Sequence, residues 1–169
     1  MGTYELSIRS TDDSDWREIR DLRVEMIRDT PTGYAESLEE ALRHEEAEWR
    51  MRGHRGASDQ GIAIAAITES GRWVATMAGF VPDPETGPLL VGVYVAPDYR
   101  GSKVGLTDAL LTAVEDWART ESDQLTLHVH EDNVRARKAY ENRGFAATGY
   151  SVPYNLDPSR NELEMVKKL

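Results

Sequence analysis

The stretch from Val91 to Gly105, VGVYVAPDYRGSKVG, joins an apolar strand, a proline-marked exit and a glycine-flanked entry into a long amphipathic segment. The first turn of a helix holds backbone N–H groups without partners, and the helix dipole adds partial positive charge there. A phosphorylated cofactor supplies the anion that such a turn lacks. Gly101 and Gly105 leave room for close approach to the backbone, and Arg100 brings a fixed positive charge to the mouth of the turn.

A second chemical stretch runs from Asn133 to Phe145, NVRARKAYENRGF. Three-and-four spacing puts Ala136, Ala139 and Tyr140 on one helical face, and Gly144 suits a left-handed C-cap that ends the helix. Between the two stretches lies HVHED, residues 128–132, where strand alternation places His128 and His130 on the same face. Two histidines followed by carboxylates lack a third ligand at a defined spacing, so no metal site is expected there.

Together the two stretches resemble the GCN5-related N-acetyltransferase (GNAT) family. Its cofactor site is built from a V-x-P-x-x-R-G-x-G-x-G/A run and a later N-x-x-A-x-x-x-Y-x-x-x-G-F run, and both occur here in that order. The resemblance implies acetyl-CoA as acetyl donor, a primary amine of a small molecule or peptide as acceptor, and no metal. It implies that main-chain groups of Val93, Tyr94 and Val95 meet the pantetheine arm and the thioester oxygen. Arg100, Gly101, Ser102, Lys103, Val104 and Gly105 would hold the pyrophosphate, and Asn133 would bind cofactor or cap its helix. Lys103 stands where the family's central glycine stands, so right-handed backbone is expected there, with the side chain leaning toward phosphate.

In this family setting Tyr140 is the catalytic candidate, because a phenol with an ordinary pKa of about 10 is protonated at neutral pH and can donate to a departing thiolate. The base is left among His128, His130, Glu36, Glu131, Tyr94 and solvent. Asp29, Thr32, Tyr34, Glu36, Tyr150 and Tyr154 are the expected acceptor-lining residues. Two rival readings are a non-catalytic acyl-CoA-binding or regulatory domain and a nucleotide-binding protein. The second is weaker, since GxxxxGK[ST] is absent.

The rest of the chain must position these groups. At 169 residues, residues 1–169 suit a single domain with one continuous core. Cysteine is absent, which removes thiolate chemistry and disulfides. A net charge of −10 argues against nucleic acid as partner and favours a cationic or amine substrate. The N-terminus lacks a signal-peptide pattern and no apolar run reaches membrane-spanning length, so a soluble, unprocessed, cytoplasmic protein is the expectation, with a homodimer left open.

Periodicity predicts strands over 4–9, 62–68, 73–81, 89–96 and 124–130, with further extended segments over 145–154 and 162–169. Helices are predicted over 14–28, 37–52, where Leu38, Leu42 and Trp49 mark the inner face, and 102–119. The segment 52–60, with Gly53, Gly56 and Ser58, reads as a flexible loop. Gly92, inside an otherwise Val- and Leu-rich strand, marks a bulge or a close approach. The fold class is therefore α/β (α+β). The family resemblance adds a twisted, mostly antiparallel sheet flanked by helices, with two strands splayed into a cofactor cleft.

Overall fold

The computed structural model describes residues 5–101 and 105–169. In chain order the elements are β1 (Leu6–Ser10), α1 (Trp16–Asp29), α2 (Leu38–Arg43), α3 (Glu46–His54), β2 (Gly61–Thr68), β3 (Trp73–Phe80), β4 (Leu89–Val95), α4 (Leu106–Arg119), β5 (Gln124–His130), α5 (Val134–Glu141), β6 (Ala146–Tyr154) and β7 (Asp157–Lys168). The strands form one sheet in the order β1-β2-β3-β4-β5-β7-β6. Every neighbouring pair is antiparallel except β4 and β5.

Helices cover both faces of the sheet centre. Thr76, Ala78 and Phe80 of β3 line a cavity beneath α1 and α3. Gly79 between them lies against Trp117 of α4, where an added Cβ would sit 2.7 Å from the indole. Period-two alternation therefore sends α1 and α3 to one face and α4 to the other. Leu22, Met26 and Trp49 are buried on the first side, and Leu110, Leu111 and Val114 on the second.

The predicted helix over 37–52 is two helices. A capping box between Ser37 and Glu40 starts α2, but His44 and Glu45 are extended and the chain restarts at Glu46. His44 leaves the helical path to bond Glu36 at 2.7 Å and to set its ring edge-on against Trp49, 5.5 Å away. The break leaves Leu42 exposed instead of buried.

The flexible-loop reading of 52–60 is also corrected. Arg52 to His54 finish α3, and Arg55 to Ala57 make one tight helical turn. Added Cβ atoms at Gly53 and Gly56 would lie 2.3 Å from the carbonyl oxygens of Asp12 and Thr11. Thr11 Oγ1 donates to the Gly53 carbonyl at 2.8 Å. These glycines give close backbone packing, not freedom, and they fix where Arg55 leaves the main chain.

Candidate active site

The cleft begins at a defect in β4. Thr76 pairs with Tyr94 and Ala78 with Val91, so Met77 faces two residues, Gly92 and Val93. Gly92 takes φ of +60°, which an L side chain adopts at a cost of about 1–2 kcal/mol. Among the described residues no atom lies within 4 Å of the place its Cβ would occupy, so the constraint there is backbone conformation. Gly92→Ala should therefore lower stability by about 1–2 kcal/mol, read as a melting point reduced by a few degrees. An unchanged melting curve would show that the bulge needs no glycine.

Beyond the bulge β4 and β5 part. Their parallel pairing is confined to Leu89 with Thr126 and Leu90 with Leu127, which opens the β4 edge from Val91 to Val95. A cavity of about 560 Å³ fills the wedge. Two carbonyls of that edge have side-chain donors: Tyr34 Oη reaches Val93 O at 2.9 Å, and Arg100 Nε reaches Val95 O at 2.6 Å. The predicted backbone residues Val93, Tyr94 and Val95 thus border the wedge. The Tyr94 side chain turns away, donating its hydroxyl to Glu25 at 2.7 Å. Burial, reinforced by that carboxylate, pushes the Tyr94 pKa up, so it keeps its proton and does not supply a base.

Arg100 and Gly101 line the same cavity. The Arg100 guanidinium also pairs with Asp29 at 2.5 Å. Its hydrogen bond holds the Asp29 carboxyl below the ordinary range. Gly101 (φ +105°) and Gly105 (φ +68°) have no atom of the described residues within 4 Å of where a Cβ would stand, and Gly105 is the N-cap of α4. Ser102, Lys103 and Val104 lie outside the described residues.

The opposite wall is α5. Asn133 caps it, its Oδ1 accepting from Ala136 N at 3.2 Å, and also borders the cavity. Gly144 (φ +96°) reverses the chain after the helix and returns Phe145 beneath Tyr140, with ring centroids 5.6 Å apart. Tyr140 is half-buried on the cavity wall, and among the described residues its hydroxyl has no hydrogen-bond partner. Burial pushes its pKa to about 12, which keeps the phenol protonated and able to donate.

The base candidates separate. His130 is buried against Tyr154, and its Nδ1 accepts the Asp132 N–H at 3.1 Å. Glu131 accepts from Asn161 N at 3.0 Å and pairs with Arg160 at 3.3 Å. Glu36 is enclosed by Arg23, Arg52 and His44. His128 alone of the predicted histidines borders the wedge, with Nε2 3.8 Å from Glu164. Of the predicted acceptor-lining residues, Tyr34 borders the wedge, Tyr154 clamps the α1–α2 connection by donating its Oη to Tyr34 O at 2.6 Å, and Tyr150 is exposed.

A family model described as the acetyltransferase (GNAT) family matches residues 16–145, from the start of α1 to the residue beneath Tyr140. The chain belongs to the GNAT family. It is accordingly an acyltransferase whose acetyl donor is acetyl-CoA. A GNAT acetyltransferase from Streptococcus pneumoniae has a similar structure, with TM-score 0.77, 18% identity, and 98% of this chain and 100% of that one covered. An N-acetyltransferase from Thermoplasma acidophilum, solved with coenzyme A, aligns with TM-score 0.74 and 18% identity over 98% of this chain and 99% of that one. A GNAT protein from Kribbella flavida aligns with TM-score 0.72 and 23% identity over 97% and 98% of the two chains. At these identities the likeness carries the fold. No curated protein matches the sequence.

The GNAT cleft also contains cations that the motif reading passed over. Arg135, Lys138 and Arg143 of the α5 segment border the wedge with Arg100. Arg143 pairs with Asp108 at 2.7 Å. The signal was available: Arg135 and Lys138 are three apart on a helix whose apolar residues had already fixed its inner face. Among the described residues no group of three or more His, Asp or Glu gathers as metal ligands, and no helix is long and apolar enough to cross a membrane.

Proposed function

We propose that this GNAT enzyme transfers the acetyl group of acetyl-CoA to a primary amine, with Tyr140 as general acid. The observation that carries the proposal is the convergence on one wedge of an open β4 edge and a phenol that has no hydrogen-bond partner among the described residues. The amine nitrogen attacks the thioester carbonyl carbon, the C–S bond breaks, and the thiolate takes the Tyr140 proton to leave as coenzyme A. The ammonium proton of the new amide passes to His128 or to water, and the tyrosinate is reprotonated from solvent. Backbone N–H groups beside the bulge would meet the oxyanion.

The diphosphate would sit between Arg100 and the start of α4, with Arg135 and Lys138 across the wedge. Arg100 is already engaged by Asp29, so its net effect on binding is modest. Arg100→Ala should weaken coenzyme A by about fivefold in calorimetry, near 1 kcal/mol. Arg135→Ala with Lys138→Ala should flatten the salt dependence of that binding. Unaltered affinity and unaltered salt dependence in these variants would remove the phosphate assignment. Thiol release from acetyl-CoA across a panel of amines tests the transfer itself, and its absence with every amine would leave only a binding domain.

A further inference from the structure

A second cavity, of about 310 Å³, lies under α1 and α3 and meets the cofactor wedge at Val91 and Gly92, which line both. Its apolar wall includes Trp49, Trp73 and Met26, while Arg23, Arg52 and Arg55 supply its charge with Glu48. Arg23 and Arg52 are committed: both bond Glu36, at 2.9 and 2.7 Å, and Arg52 also pairs with Glu48 at 3.0 Å. His44 completes the shell of Glu36.

Arg55 is different. Among the described residues its guanidinium has neither an ion pair nor a hydrogen bond. Its stem crosses Gly61, where an added Cβ would sit 3.0 Å from Arg55 Cγ, and its guanidinium lies 4.8 Å over the Phe80 ring. The packed glycines Gly53 and Gly56 fix the turn from which it projects. Burial, with Arg52 and Arg23 nearby, lowers its pKa against a smaller opposing pull from the Glu48 carboxylate, which is already paired with Arg52. Three guanidiniums thus face two carboxylates, Glu36 and Glu48, in a chain whose formal net charge is −10. The surplus is one positive charge, on a half-buried side chain lining the cavity that Gly92 also lines.

We propose that the acetyl acceptor is an amino carboxylate, its carboxylate paired with Arg55, its apolar side chain against Trp49 and Trp73, and its amine at Gly92. This rests on the acetyltransferase reading and narrows it. A carboxylate matches the surplus in charge, whereas a phosphate dianion would exceed it. A guanidinium fork also receives a carboxylate through two parallel hydrogen bonds. The cavity volume suits a molecule of amino-acid size.

The test compares L-leucine, L-phenylalanine and L-tryptophan with their carboxamides and with isoamylamine, phenethylamine and tryptamine, reading thiol release from acetyl-CoA. At least one amino acid should exceed its amide and its decarboxylated amine in kcat/KM by ~10-fold or more. Arg55→Gln should collapse that preference through a raised KM, and Arg55→Lys should restore part of it. Calorimetry with N-acetyl-L-leucine, N-acetyl-L-phenylalanine and N-acetyl-L-tryptophan gives a readout independent of turnover. Arg55-dependent binding without thiol release from any amine would retain the carboxylate site and reject the transferase reading. Equal use of amines lacking a carboxylate, or no Arg55-dependent binding or turnover of any amino carboxylate, overturns the inference.

Discussion

Tyr140→Phe should lower the single-turnover rate of acetyl transfer by on the order of 10²-fold or more while leaving coenzyme A affinity and the melting curve close to those of the parent protein. The ring contact with Phe145 survives the change, so the apolar packing that holds the end of α5 is preserved. Only the hydroxyl is lost. Because that hydroxyl has no partner among the described residues, its removal orphans no buried group there. A tyrosine serving packing alone would give a different pattern, since loss of its hydroxyl would spare the chemical step. Measuring transfer with saturating acetyl-CoA, beside a thermal melt, separates the two cases. A full chemical rate in the phenylalanine variant would reject Tyr140 as the acid.

Local pattern carried most of the fold. The helical spacing of Trp16, Ile19, Leu22 and Met26 announces α1, and the Val91–Gly105 stretch announces β4 followed by α4. Gly92 was readable as a bulge because glycine weakens a strand unless backbone geometry requires it. The break between α2 and α3 was not readable, since it depends on His44 turning to meet Glu36 and Trp49. Periodicity registers which face is apolar and is silent on which polar group leaves the helix for a distant partner.

Charge pairing was the least legible level. Arg100 meets Asp29 across 71 positions of sequence, and Glu36 meets Arg52 across 16. Composition suggests an acidic protein that attracts a cation, yet folding gathers three arginines around one cavity and, among the described residues, leaves Arg55 without an ion pair of its own. Glu36 is where the two levels diverge most. In the sequence it is a candidate base and acceptor contact; in the fold it orients the arginines that surround the second cavity.

That role of Glu36 has a measurable consequence. Burial alone would raise its pKa, but hydrogen bonds from Arg52, Arg23 and His44 outweigh burial and hold it at about 2, against an ordinary 4.5. A carboxylate with a lowered folded-state pKa stabilises the native state fully above its unfolded value. That contribution fades as pH falls from about 4.5 toward 2. The interval corresponds to about 3 kcal/mol, at a side chain only 9% exposed. Glu36→Gln keeps the shape and removes the charge, leaving Arg23 and Arg52 without their shared counterion. At pH 7 it should cost about 3 kcal/mol, seen as a melting point lower by roughly 10 °C. The gap between variant and parent should narrow steadily when both are melted at pH 4, 3 and 2. A gap that stays constant across that range, or no gap at pH 7, would mean that Arg23 and Arg52 do not depend on this carboxylate. The expected convergence would instead identify Glu36 as the charge that keeps two arginines occupied, and thereby leaves the third to a ligand.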